Sequence, residues 1–221
     1  MAGNVRRAPF ITLEGPDGAG KSTQGRELAQ RLRDLGAEVV LTREPGGTPI
    51  GEQIRDLLLH GGARDPLTDG LLFNAARRQL VRDVIEPALA RGAFVICDRY
   101  TDSTLAYQGY GAGVSLDQLR RLADVATDGL RPTRTLLFDV LPAVGLTRRA
   151  EGSHADVTRF ESATEHDLAF HERVRAGYLE LAGSEPERWR IIDAARPEEE
   201  VAADVWLAVE DVSEAPSRAG L

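Results

Sequence analysis

Little in this chain suits a secreted, membrane-spanning or nucleic-acid-binding protein. Cys97 is the single cysteine in 221 residues. That excludes an intrachain disulfide and a cysteine-built zinc site, and a reducing cytoplasm is the expected location. No apolar run approaches the roughly 18 residues that a membrane span needs. The opening MAGNVRRAP carries arginines, but the FITLEG after it is too short for a signal-peptide core. Positive charge is not in excess. The formal net charge is −8, which argues against a nucleic-acid partner. It leaves room for a phosphorylated small molecule, which needs only local positive charge. There is no internal repeat. With 42% hydrophobic and 28% charged residues, the composition is that of an ordinary globular chain, long enough for one well-cored domain.

What is present is an alternation of short apolar runs and longer helical patterns. FITLEG (10–15), EVVLT (38–42), AFVICD (93–98), RTLLFDV (134–140) and WRIID (189–193) read as strands. Helices are expected over 21–35, 51–59, 69–90, 116–126, 143–150, 165–181 and 197–209, with Gly36 ending the first. Strands alternating with helices predict an α/β fold, a five-stranded parallel sheet covered by helices on both faces. The expectation is a single domain with its core over 10–209 and flexible tails over 1–8 and 211–221. The polar stretch EGSHADVTRF (151–160) reads as a mobile loop. His154, His166 and His171 show no metal-ligand spacing and are expected to be solvated or packing residues.

The first strand runs into Gly15-Pro16-Asp17-Gly18-Ala19-Gly20-Lys21-Ser22, followed by Thr23. This is G-x-x-x-x-G-K-[ST], between a hydrophobic strand and an amphipathic helix, as a phosphate-binding P-loop requires. Glycines let the backbone approach phosphate oxygens, while amide N–H groups and the helix N-terminus supply positive potential. Residues 15–23 are therefore the expected ATP site. Lys21 would reach the β- and γ-phosphates and the Ser22 hydroxyl would ligate Mg²⁺. Asp17 is a carboxylate inside an anion nest, where electrostatics disfavour it. It needs a counterpart such as a sugar hydroxyl, a magnesium-bound water or a neighbouring arginine.

Three further segments bear on the reaction. Asp98 of DRY ends an apolar strand, where a carboxylate would hold Mg²⁺ directly or through water. Arg99 and Arg43, at two strand ends, are forked donors suited to a second phosphate opposite ATP. In FNAAR, Phe73 and Arg77 are four apart and share a helix face, where a ring and a planar cation could stack on and bond a flat base. Ser103 and Tyr107 have the same spacing, with Gln108 beside them.

Together, EGPDGAGKST, TREPGGT, FNAAR, DRY with STLAYQG, and the arginines after LTRR resemble the bacterial thymidylate kinases, of the P-loop nucleoside monophosphate kinase class. The resemblance covers roughly 10–209. It implies the reaction ATP + dTMP → ADP + dTDP with Mg²⁺, by direct in-line transfer in a homodimer with a short lid. It implies that Phe73 stacks on thymine, that Arg77 bonds its edge, and that Arg99 grips the dTMP phosphate with Arg43 nearby. Tyr107 would exclude a 2′-hydroxyl, Ser103 and Gln108 would complete the nucleotide wall, and Asp17 would organise catalysis near the acceptor.

The P-loop itself contains no arginine, although some members of the family place one there. The transferring phosphoryl group needs such a charge. Arg148, Arg149 and Arg159, in a lid expected over about 148–161, are the source that the resemblance implies. The family's Asp-Arg-x-Glu is replaced here by Thr158-Arg159-Phe160-Glu161, which leaves open whether Arg149 or Arg159 contributes most. Lys21, Asp17, Arg99, Arg149 and Arg159 are thus the expected catalytic residues. A kinase for another pyrimidine monophosphate, or a regulator that binds ATP without transferring phosphate, are the alternatives.

Overall fold

The first strand, β1 (Phe10–Glu14), is β-branched and aromatic, and every residue in it is buried. That fits a central strand covered on both faces. The computed structural model describes residues 8–151 and 168–213. Within it β1 lies in the middle of a five-stranded, all-parallel sheet of order β2-β3-β1-β4-β5, as expected. The other strands are β2 (Val39–Arg43), β3 (Phe94–Asp98), β4 (Arg134–Asp139) and β5 (Trp189–Asp193).

Alternation along the strands assigns side chains to two layers. Ile11, Leu13, Phe94 and Ile96 face α1 (Lys21–Asp34) and the C-terminal helix. Phe10, Val95 and Cys97 face Leu80, Val81, Ile85, Ala88 and Leu89 on the other side. Each fully buried aliphatic side chain contributes roughly 1.5–3 kcal/mol to holding these layers together.

Helix α2 (Pro49–His60) starts two residues before the expected 51, because Thr48 caps it by accepting from the Gly51 amide and Pro49 fits the first turn. Similarly α3 (Pro66–Leu80) starts at Pro66, behind the Asp65 cap. The expected helix over 69–90 is present as one uninterrupted helical run, but its hydrogen-bond pattern changes midway. A π-turn (Val81–Ile85) separates α3 from α4 (Glu86–Ala90). Pro87 has no N–H to donate and its ring crowds the preceding turn, and the wider turn just before it relieves that conflict.

After β3 comes a helical stretch that the sequence patterns did not delimit, α5 (Thr101–Thr104) running into a π-turn (Leu105–Gly111). Then follow α6 (Leu116–Thr127), α7 (Pro142–Glu151), α8 (Leu168–Ser184) and α9 (Glu198–Ser213). Residues 211–213, expected in the tail, belong to α9, where Asp211 accepts from the buried Arg134. Residues 1–7, 214–221 and 152–167 lie outside the described residues. So do Arg159, His154, His166 and most of the expected lid. Of that lid, 148–151 form the end of α7. His171 is buried, edge-on to Phe170, the packing role expected of it.

Candidate active site

The site forms where β1, β3 and β2 end side by side. Asp98 is paired in register with Leu13 on one side and Arg43 on the other. Gly15 to Gly20 turn between β1 and α1, with Gly20 in the left-handed conformation as the cap of α1. A side chain at Gly18 (φ +73°) would put its Cβ 2.0 Å from the Gly145 carbonyl oxygen, so α7 and the P-loop touch backbone to backbone there. Only glycine permits both that φ and that approach.

Lys21 Nζ lies on the loop, donating to the carbonyls of Gly15 at 3.0 Å and Pro16 at 2.6 Å. Burial, then repulsion from Arg99, brings its ammonium down to about 8. Ser22 Oγ donates to Asp98 Oδ2 at 2.5 Å, bringing the two expected metal ligands together. These are hard oxygen donors suited to Mg²⁺, which takes one or two protein ligands and keeps water and phosphate for the rest. Thr23 follows in the first turn of α1 and accepts from Arg26.

Asp17 finds its counterpart in arginine, on two sides. Arg99 Nη2 donates to its Oδ1 at 2.6 Å, and Arg149 Nη1 lies 3.1 Å from its Oδ2. Desolvation works to raise the Asp17 pKa, but Arg99, Lys21 and Arg149 outweigh it and hold the carboxyl below its usual range. Arg99 has a left-handed backbone (φ 70°), pinned by its amide donating to the Leu13 carbonyl. Its Nη1 donates to Ser103 Oγ and Tyr178 OH, its Nη2 also reaches the Tyr107 hydroxyl, and its guanidinium lies over the Tyr107 ring.

The remaining expected residues are placed less uniformly. Arg43 is half exposed and pairs with Glu52 at 3.0 Å. Arg77 is almost fully buried, and its Nε, Nη1 and Nη2 donate to Glu44, Asn74, the Tyr100 carbonyl and Thr104. Phe73, one turn earlier on α3, is half-buried. Ser103 turns inward, with its hydroxyl donating to Glu14. Gln108 is buried in the π-turn after α5.

Sequence reasoning missed several residues here. Arg55 of α2 is half-buried, donates to the Pro45 carbonyl, and feels the charges of Arg43, Asp98 and Arg99. At the end of β4, Asp139 accepts two 2.7 Å bonds from Arg175 of α8. Glu14, Glu44 and Tyr178 were passed over as well. Only Glu14 carried a signal, an acid inside an otherwise apolar strand.

A parallel sheet with a P-loop after its central strand, and arginines gathered at the neighbouring strand ends, defines a P-loop nucleotide-binding enzyme fold. The family model described as thymidylate kinase matches residues 13–205. A thymidylate kinase of Deinococcus radiodurans is 52% identical over 203 residues, spanning 91% of this chain and 96% of that one. One of Thermomicrobium roseum is 53% identical, spanning 92% and 95%. The crystal structure of a thymidylate kinase from Ehrlichia chaffeensis superposes with a TM-score of 0.75 at 36% identity, spanning 92% of this chain and 99% of that one. The chain belongs to the thymidylate kinase family.

Proposed function

We propose that the protein transfers the γ-phosphoryl group of ATP to dTMP, giving ADP and dTDP. The observation that carries this reading is Asp17, bridged by Arg99 on one side and Arg149 on the other. One carboxylate in the donor nest joins the arginine on the acceptor side to the arginine on the lid-side helix. The two anionic substrates then meet head to head across it.

The P-loop amides and Lys21 hold the ATP phosphates. Lys21, already lowered to about 8, leaves its carbonyl partners for the phosphate oxygens. Ser22 and Asp98 are the residues that would hold Mg²⁺, which, when bound, neutralises charge on the β- and γ-phosphoryl oxygens. Arg99 orients the dTMP phosphate in line with the γ-phosphorus. A non-bridging oxygen of that phosphate attacks, the bond to the β–γ bridging oxygen breaks, and ADP leaves with the electron pair. The nucleophile is already anionic, so no general base or covalent intermediate is needed. Arg149, and Arg159 beyond the described residues, supply positive charge at the transferring group. Phe73 of α3 lines the base, with the buried Arg77 one turn behind it holding Glu44, Asn74 and Thr104. Tyr107, Ser103, Gln108 and Arg43 complete the acceptor wall.

No helix among the described residues is long and apolar enough to cross a membrane. A cytoplasmic enzyme is the reading that the single buried cysteine supports. A homodimer is proposed from family membership, with Leu57, Leu71 and Val125 as exposed apolar surface available to it.

The test is ADP release by purified protein with dTMP, dUMP, CMP or AMP as acceptor. Turnover that requires an acceptor and is fastest with dTMP is expected. Release that ignores the acceptor would point to an ATP-binding regulator, and a preference for AMP would overturn the reading of Phe73 and Arg77.

A further inference from the structure

Glu14 ends β1 with no solvent exposure, and no step described above uses it. Its Oε1 accepts from the Tyr100 amide at 2.8 Å. Its Oε2 accepts from Ser103 Oγ at 2.5 Å and from the Tyr178 hydroxyl at 3.1 Å. These are the same two hydroxyls that accept from Arg99 Nη1, at 3.0 and 3.2 Å. Each hydroxyl has one hydrogen to give and lone pairs to offer. The two hydroxyls also lie 2.8 Å from each other, so the Tyr178 hydrogen reaches the carboxylate either directly or through Ser103 Oγ. An ionised carboxylate only accepts, so in both arrangements the hydrogens run toward Glu14 and lone pairs face the guanidinium. The residue before Glu14 acts on the same target, since the Leu13 carbonyl accepts from the Arg99 amide at 2.9 Å.

We propose that Glu14 is a positioning residue that turns Ser103 and Tyr178 into acceptors and so fixes the Arg99 guanidinium for the acceptor phosphate. This inference rests on the phosphoryl-transfer reading above and adds to it a group that touches no substrate. Burial in a low-dielectric core makes the orientation strict, because each hydroxyl there must satisfy both a donor and an acceptor.

Glu14→Gln tests it at nearly constant shape. An amide has one accepting end and one donating end. Whichever way it turns, an N–H faces either the Tyr100 amide or the two hydroxyls. In the second case the hydroxyl hydrogens swing toward Arg99, donor against donor.

Steady-state ADP release by the full chain at pH 8, where Glu14 is largely ionised, should show KM for dTMP raised about tenfold or more, with KM for ATP within about twofold. Calorimetry should show dTMP binding weakened to match, while thymidine, which lacks the phosphate, binds both proteins equally. Tyr178→Phe, which removes one of the two hydroxyls, should raise KM for dTMP about threefold. Glu14→Leu leaves the two hydroxyls no acceptor there in any orientation and should raise KM for dTMP at least as much. An unchanged KM for dTMP in Glu14→Leu, or equal weakening of dTMP and thymidine in either variant, would overturn the proposal. If either variant does not fold, the same dTMP-against-thymidine comparison on Tyr178→Phe and Ser103→Ala decides in the same way. Absence of dTMP-dependent turnover in the parent chain would overturn this inference together with the function it rests on. A parent active on dTMP with an indifferent Glu14→Leu would overturn this inference alone.

Discussion

The proposed donor and acceptor halves of the site are built from different material. The donor half is main chain, a loop of glycines and small residues at the mouth of α1, shaped by φ angles and by contact between Gly18 and Gly145. The acceptor half is side chain. Arg99 is held by Asp17, Ser103, Tyr107 and Tyr178, and Arg77 by Glu44, Asn74 and Thr104. A main-chain nest binds any triphosphate in much the same way. A side-chain wall can be selective, and it depends on every partner that holds its charges in place.

The sharpest break between the halves is Arg99→Ala. It should lower kcat/KM for dTMP by about 10³-fold, the scale for removing one member of a buried charge pair, and leave ATP binding intact by calorimetry. Comparable loss of both substrates would show that the halves are not separable. Next comes Arg149→Ala, on α7. It should reduce kcat by about 10²- to 10³-fold with KM for dTMP little changed, as expected for charge supplied mainly in the transition state. An equal change in kcat and in dTMP affinity would make Arg149 a ground-state clamp.

A third substitution strikes the main-chain half. Gly18→Ala must place an L-residue at φ +73° with its Cβ 2.0 Å from a carbonyl oxygen of α7. The backbone conformation alone costs about 1–2 kcal/mol. ATP affinity should fall about tenfold or more once the loop shifts, while thymidine binding stays as it was. Unchanged ATP affinity would show that the contact with α7 is incidental.

These two kinds of construction also explain what could be read in advance. The P-loop was legible because its geometry is carried by consecutive residues, and the sheet because its strands are apolar, β-branched and evenly interleaved with helices. Asp17 was recognisable as an acid in the wrong electrostatic setting. Of the residues that hold Arg99, Asp17, Ser103 and Tyr107 were legible as site residues, though not as its partners. Tyr178, and the Glu44, Asn74 and Thr104 that hold Arg77, come from separate segments that only folding brings together. The π-turns were missed for a related reason. Pro87 looks tolerable in an amphipathic pattern, and the widened turn that accommodates it leaves that pattern nearly intact.

The smallest expected effect concerns pH. Burial, and then the Asp102 carboxylate, push Glu14 up to about 7 from an ordinary 4.5, against the opposing pull of Ser103, Arg99 and the Tyr100 amide. Tyr178, Lys21, Arg77 and Cys97 also face it electrostatically. The raised value means that the folded protein holds this proton more tightly than the unfolded chain does. The stability it contributes is fully present below about 4.5 and is lost as pH rises through 7. Acceptor binding should run the other way, improving as Glu14 ionises. Melting temperature should therefore fall by a few degrees between pH 5 and pH 8 relative to Glu14→Gln, while the parent's advantage in dTMP affinity grows. Parallel curves for the two proteins would remove Glu14 from both effects.

If two nucleotides meet head to head across Asp17, one ligand should be able to span both halves. The probe is adenosine and thymidine joined through a chain of five phosphates. It should compete with both ATP and dTMP and bind more tightly than either. Competition with only one of them, at an affinity no better than that nucleotide's own, would contradict the account.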